Sequence, residues 1–177
     1  ILQRGLAGPL SSEQQYLFEA ISTHAGELNR MVEDILDVSR LEQGVITVRR
    51  RVSSTKQVYD QIRPIVERKA ELARVQIQWD FPPDDTHARM FCDDEKVSRA
   101  LTNLATNAIK FCGAPGQVKI QCEALPSSIR FAVYDNGTGI PVAELKNIFE
   151  KFRQHQVGST YGSANRGFGL GLSIARE

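Results

Sequence analysis

Cysteine is scarce and poorly placed for structural chemistry. Only three occur, Cys92, Cys112 and Cys122. The odd number and the lack of any C-x-x-C spacing argue against a disulfide framework or a thiolate zinc site, leaving reduced thiols as the simplest state. Long apolar runs are missing as well. None approaches the ~20 residues that span a bilayer, and the first residues lack the charged-then-apolar order of a signal peptide. The segment is therefore expected to make no direct membrane contact and to sit in the cytoplasm, whether or not a parent protein carries an anchor. An excess of one charge is also missing, since 22 Lys and Arg against 21 Asp and Glu leave a formal net charge of +1. With both signs interspersed, no field favours nucleic acid or an anionic surface, and neither is expected as a partner. What is present is 41% apolar and 24% charged residues over 177 positions, enough for one medium domain and an appendage. There are no internal repeats.

Gly5, Gly8 and Pro9 punctuate the start, and Ser11 with Gln14 three residues on fits a capping box that opens a helix. Leu17, Ile21, His24, Leu28, Met31, Ile35 and Val38 then alternate steps of four and three. They form a heptad seam flanked by Phe18, Ala25, Val32 and Leu36. The stripe is wider than a two-stranded coil needs, which predicts a four-helix bundle. Running to about Gln43, such a helix is roughly 48 Å long at ~1.5 Å per residue and implies a partner helix. His24 takes a seam slot, where a packed core or interface histidine is expected. After Gly44 the pattern changes. Val45 to Val52 alternates like a strand, Gln57 to Leu72 is helical, and Val75 to Phe81 alternates again. Asp94 to Phe111 reads as a helix, Gln117 to Glu123 and Ser128 to Tyr134 as paired strands, and Val142 to Phe152 as another helix. This order predicts an α+β domain with helices on one face of a mixed sheet. His155 to Gly167, poor in apolar residues, reads as a loop.

In the helix from Asp94, the residues Val97, Leu101, Leu104 and Ala108 are expected to face the core. Asn103, Asn107 and Lys110 fall at i, i+4 and i+7 and share a different face. An amide oxygen can ligate a hard cation such as Mg²⁺, and an ammonium nearby can meet the phosphates that accompany it. A solvated polar face gives the same spacing. Asp135-Asn136-Gly137-Thr138-Gly139-Ile140-Pro141 follows a strand; its glycines allow a tight turn, and a strand-end Asp can accept a hydrogen bond from an exocyclic amine such as that of adenine. An ordinary Asp-Asn turn has the same composition. Gly167-Phe168-Gly169-Leu170-Gly171-Leu172 precedes an apolar helical run, where exposed N–H groups and a helix N-terminus suit phosphate. Its glycine spacing matches neither the P-loop nor the Rossmann fingerprint.

Taken in order, Asn103 to Phe111, Asp135 to Ile140, Ile148-Phe149-Glu150-Lys151-Phe152 and Gly167 to Leu172 resemble the N box, first glycine box, F box and second glycine box of sensor histidine kinases. The helix ending Asp37-Val38-Ser39-Arg40-Leu41-Glu42 is similar to that family's second dimerisation helix. The resemblance covers nearly the whole chain. It implies a Bergerat-type two-layer α/β sandwich preceded by a long helix of a dimeric four-helix bundle. Residues 1–44 would be the second half of a dimerisation and histidine phosphotransfer domain. Residues 45–177 would be a catalytic ATP-binding domain, truncated before the family's final helix and two strands. By the same resemblance, Asn107 holds Mg²⁺, Asn103 and Lys110 contact phosphates, and Asp135 binds the adenine amino group. Gly137 and Gly139 shape that pocket, and Ile140 and Phe111 line it. Gly167, Gly169 and Gly171 hold the phosphate side, with Phe152, Arg153, Phe168, Leu170 and Leu172 around them, beneath a lid of about 153–166.

The implied activity is transfer of the γ-phosphate of Mg-ATP to a histidine, for relay to the receiver domain of a response regulator, in a homodimer formed through the 12–43 helix. In this family the acceptor lies in a first dimerisation helix, in a motif like H-E-x-x-x-P, and none of His24, His87 or His155 has that context. The fragment is therefore expected not to phosphorylate itself. Gln154 and Phe168 stand where many members carry Arg and Thr. A non-catalytic dimeric module that binds nucleotide is the alternative.

Overall fold

The computed structural model describes residues 10–42, 47–83, 88–113, 115–151 and 171–176. The chain divides into two compact units, Ile1–Gly44 and Val45–Glu177.

The first unit carries α1, Ser12–Glu42. Its start is closed as the capping box requires: Ser11 N–H donates to Gln14 Oε1 at 2.9 Å and Gln14 N–H to Ser11 Oγ at 3.2 Å. The expected burial of its seam is not met within one chain. Leu17, Ile21, Leu28, Val32, Ile35 and Leu36 are 42–62% exposed, and His24 is exposed in the single chain. A single helix has nothing to cover such a stripe, so its burial needs another helix.

The second unit comprises β1 (Arg51–Ser54), α2 (Thr55–Ala73), β2 (Val75–Asp80), β3 (Arg89–Cys92), α3 (Asp94–Phe111), β4 (Gly116–Ala124), β5 (Ile129–Asp135), a 3-10 turn at Val142–Glu144 and α4 (Gly171–Arg176). β2 pairs parallel with β4, which pairs antiparallel with β5, giving the mixed sheet; β1 and β3 form a separate antiparallel ribbon. Val58, Ile62, Val66 and Ala70 recur every fourth residue of α2 and are at most 2% exposed. They meet Leu101, Ala105, Ala108 and Ile109 of α3 and the inward residues Val118 and Ile120 of β4 in two core clusters, and Cys122 of β4 is buried as well. Each fully buried aliphatic side chain contributes about 1.5–3 kcal/mol. Outward residues of β2 and β4 are polar, with Lys119 paired to Asp80 at 2.7 Å. This is the helix-on-one-face sandwich expected from the sequence.

α2 opens with a second capping box, Ser54 with Gln57, and ends on Arg74 in the left-handed region at φ 56°. α3 opens on Asp93, whose carboxylate accepts from Lys96 N–H at 3.1 Å. Three expectations need correction. In its described part, from residue 47 on, the strand expected over Val45 to Val52 is confined to Arg51–Ser54, because β3 ends at Cys92 and Arg49 N–H turns to Asp93 Oδ2 at 2.9 Å instead of continuing the ladder; residues 45 and 46 lie outside the described residues. The strand β3 itself was not expected. The helix expected over Val142 to Phe152 is not formed in its described part. After Pro141 the bonds close mainly to the third residue back, as in Glu144 N–H to Pro141 O at 2.8 Å and Glu150 N–H to Asn147 O at 2.9 Å. Val142 is 84%, Leu145 45% and Phe149 37% exposed, so the segment buries too little to sustain an α-helix.

Candidate functional site

The amphipathic logic of α3 decides what it can present. Its core side carries Leu101, Ala105, Ala108 and Ile109, buried, while Val97 and Leu104 are only half-buried. Asn103, Asn107 and Lys110 are half-buried along the adjoining face. Burial holds the Lys110 ammonium below the ordinary lysine value, and its Nζ lies 5.1 Å from the centroid of the Phe111 ring. Phe111 itself remains 45% exposed.

Two other segments reach this helix. Near its middle, Asn103 Nδ2 donates to the carbonyl oxygen of Gly171, the first residue of α4, at 3.3 Å. A Cβ on Gly171 would stand 3.5 Å from Asn103 Cγ, an ordinary contact. At its last turn, the loop after β5 packs so closely that a Cβ on Gly137 would lie 2.6 Å from the Phe111 carbonyl oxygen and 2.8 Å from Asp135 Oδ1. Only glycine fits there. Asp135, exposed at the end of β5, accepts the Gly137 N–H at 2.9 Å. Gly139 adopts φ +71°, the left-handed conformation glycine takes without strain, and Ile140 beyond it is 47% exposed.

Two separate contacts thus meet on α3, Asn103 with Gly171 and Phe111 with Gly137, which in turn donates to Asp135, and Asn107 and Lys110 lie on the same helix. Leu172 is half-buried in α4. Phe152, Arg153, Gly167, Phe168, Gly169 and Leu170, with the loop expected over His155 to Gly167, lie outside the described residues. Three residues to which the sequence assigned no role in the site, Cys112, Gln117 and Asn136, belong to the junction. Asn136 Oδ1 accepts from Gln117 N–H at 2.8 Å and lies 3.3 Å from Cys112 Sγ. No spacing rule marks them, because they lie on different elements.

Among the described residues, no group of three or more His, Cys, Asp or Glu side chains could hold a metal ion. A cation at this face would take the Asn107 amide oxygen together with oxygens of its own ligand, a combination that fits a hard cation bound to phosphate.

Residues 92–177 match the family described as histidine kinase-, DNA gyrase B-, and HSP90-like ATPase. The chain is 31% identical over 176 residues to the circadian input-output histidine kinase CikA of Thermosynechococcus vestitus, covering 99% of this chain and 24% of that protein. The chain belongs to the sensor histidine kinase family. A second member, histidine protein kinase DivJ of Caulobacter vibrioides, is 27% identical over 99% of this chain and 29% of its own length. This sensor-kinase chain thus spans about a quarter of the curated relatives it matches. Among solved structures, full-length ShkA in complex with AMPPNP superposes with a TM-score of 0.70 at 26% identity, covering 95% of this chain and 34% of that one. Acinetobacter baumannii histidine kinase AdeS superposes at 0.69 and 21% identity over 98% and 77%, a likeness of fold alone.

Among the described residues, no helix is long and apolar enough to cross a membrane.

Proposed function

We propose that residues 45–177 bind Mg-ATP and present its γ-phosphate to a histidine outside this chain, for relay to a response regulator receiver domain. The carrying observation is the double engagement of α3: the Asp135 loop seats on its last turn through Gly137, while Asn103 meets the glycine that opens α4. That supports a base end and a phosphate end on one helix. The likeness to a kinase solved with AMPPNP supports the same ligand class.

In this reading the Asp135 carboxylate accepts a hydrogen bond from the adenine amino group, and Phe111 and Ile140 offer apolar surface to the ring. Asn103 and Lys110 meet phosphate oxygens, and Asn107 holds Mg²⁺. Gly167, Gly169 and Gly171, with Phe152, Arg153, Phe168, Leu170 and Leu172, complete the phosphate side. Bound Mg-ATP supplies the transferable phosphoryl group and neutralises its charge. The protein's part is positioning and charge complementarity, since phosphoryl transfer asks for little covalent chemistry from side chains. The exposed stripe of α1 supports a homodimer in which a second copy's helices cover it, residues 1–44 acting as half of a dimerisation domain. A cytoplasmic site follows from the ATP requirement.

Calorimetry on the 177-residue chain tests the division of labour. Asp135→Ala should weaken ADP and adenosine alike, whereas Asn107→Ala should remove chiefly the Mg²⁺-dependent part of ATP binding. Equal losses in both variants with all three ligands would contradict the assignment.

A further inference from the structure

The polar contacts just beyond Asp135 do more than finish a sheet. β4 and β5 pair as far as Val118 opposite Asp135. One residue further, Asn136 continues that pairing with two bonds to Gln117. Its backbone N–H donates to Gln117 O at 3.2 Å, and its side-chain oxygen accepts from Gln117 N–H at 2.8 Å. The amide oxygen thereby takes the place a strand carbonyl would hold, and the backbone is free to turn toward Gly137.

The same oxygen is tied to α3. Cys112 is the C-cap residue of that helix, its N–H bonded to Ala108 O, and it is 8% exposed. Its Sγ stands 3.3 Å from Asn136 Oδ1 and 3.4 Å from Gln117 O, so its single proton can go to either acceptor. The neighbouring backbone leaves no slack. A Cβ on Gly116 would lie 2.7 Å from Cys112 Cβ, and one on Gly137 would lie 2.6 Å from the Phe111 carbonyl oxygen. The end of α3, the start of β4 and the end of β5 are therefore locked at one point, immediately beside Asp135 and one turn beyond Asn107.

We propose that Asn136, held by the Gln117 N–H and the Cys112 thiol, is a positioning residue that fixes where the Asp135 carboxylate stands relative to the Asn107 and Lys110 face of α3. This rests on the nucleotide reading of the site. Asn136 touches no ligand in this arrangement; it acts through Asp135. Losing it should leave the phosphate face intact and misplace only the base contact. A merely structural role would instead lower binding of every ligand together.

The experiment is calorimetry of the 177-residue chain with ADP and with inorganic tripolyphosphate, both with Mg²⁺, alongside thermal melts. Asn136→Ala should weaken ADP about tenfold, the size of one or two lost hydrogen bonds. Tripolyphosphate affinity should stay within about twofold of the parent, a change too small to represent a lost contact. Cys112→Ala should weaken ADP by a smaller factor, about threefold, and Cys112→Ser, which keeps a donor, should restore it. The Cys112 pair decides the matter if Asn136→Ala fails to fold. Equal loss of both ligands in Asn136→Ala, or no difference between the Ala and Ser variants at 112, would overturn the proposal. Asp135→Ala separates the two levels. Unchanged ADP binding in Asp135→Ala would mean the nucleotide reading has failed, whereas a loss there with none in Asn136→Ala would remove the positioning role alone.

Discussion

At its N-terminal end α3 begins with Asp94, 1% exposed, whose carboxylate is gripped by Arg51 Nη2 at 2.9 Å, Ser53 Oγ at 3.0 Å and Gln61 Nε2 at 3.0 Å. At its C-terminal end Phe111 is 45% exposed, Lys110 is half-buried, and the neighbouring Asp135 is open. Both ends place a carboxylate near the helix, but only one gives it a full set of protein partners. A buried charge without partners costs several kcal/mol, so the first arrangement ties β1, α2 and α3 together and leaves nothing for a ligand. The second keeps acceptor capacity on Asp135 and apolar surface on Phe111 unspent. The difference separates the end that holds the domain from the end that serves it.

The largest effect should come from breaking the closed end. Asp94→Ala removes the acceptor for three side chains, leaving Ser53 buried without it. Because Arg51 is 57% exposed and can rehydrate, the loss should be about 2–3 kcal/mol rather than the most that breaking a buried pair can cost. Chemical denaturation should show it, with ADP affinity unchanged where the variant is folded. A loss of affinity without a loss of stability would reverse the roles of the two ends. The same carboxylate predicts the acid response. Its hydrogen bond from Arg51 above all, with those from Gln61 and Ser53, holds it well below the usual carboxylate range. A group depressed on folding contributes stability that is fully present above its unfolded value of about 3.9 and is lost as pH falls below that value, and Asp94→Ala should flatten that part of the pH profile.

At the open end, Gly137→Ala forces a Cβ to within 2.6 Å of the Phe111 carbonyl oxygen, so the loop must lift off α3. The expected stability cost is about 1–2 kcal/mol, the range of a modest overpacking, while ADP affinity should fall by at least about tenfold. Gly139→Ala is the contrast. Its Cβ meets nothing within 4 Å, and the left-handed φ of +71° adds a backbone penalty of about 1–2 kcal/mol. A Gly139 variant that bound ADP no better than the Gly137 variant would show that backbone conformation, rather than the seat on Phe111, controls the loop.

How much of this contrast was legible in the sequence depends on the range of the contact. α3 was readable from Asp94 to Phe111, because its apolar spacing is local, and so was the shared face of Asn103, Asn107 and Lys110. The assignment of that face to phosphate came from the ordered resemblance to sensor kinases, since spacing alone fits a solvated face equally well. The four-residue β3 was invisible, being too short to show alternation and paired with a strand about 40 positions earlier. Val142, Leu145 and Phe149 imitate a helical stripe, yet they remain 84%, 45% and 37% exposed. The Arg51–Asp94 grip and the meeting of Cys112 with Asn136 depend on topology, which brings residues together that no local pattern relates.

The cysteines provide the gentlest probe of the two ends, because one thiol marks each. Cys92 closes β3 next to Asp93 and Asp94, and burial, with the nearby Asp94 and Asp93 charges, raises its thiol above the ordinary value. Cys112 caps the other end. Cys122 lies in the core of β4, its thiol pushed up to about 11 by burial, and serves as the slow internal reference. A thiol reacts as thiolate and, when buried, only after local opening, so labelling rates report how often each end opens. If the C-terminal end closes around nucleotide while the N-terminal end is already complete, Mg-ADP should slow labelling of Cys112 by about threefold, a shift of well under 1 kcal/mol in the opening equilibrium. Cys92 should not change. Mass spectrometry of native chain treated with a small alkylating reagent at mildly alkaline pH would resolve the three sites. Equal protection of Cys92 and Cys112 would mean that α3 responds as one rigid rod, and the distinction between a holding end and a serving end would not survive it.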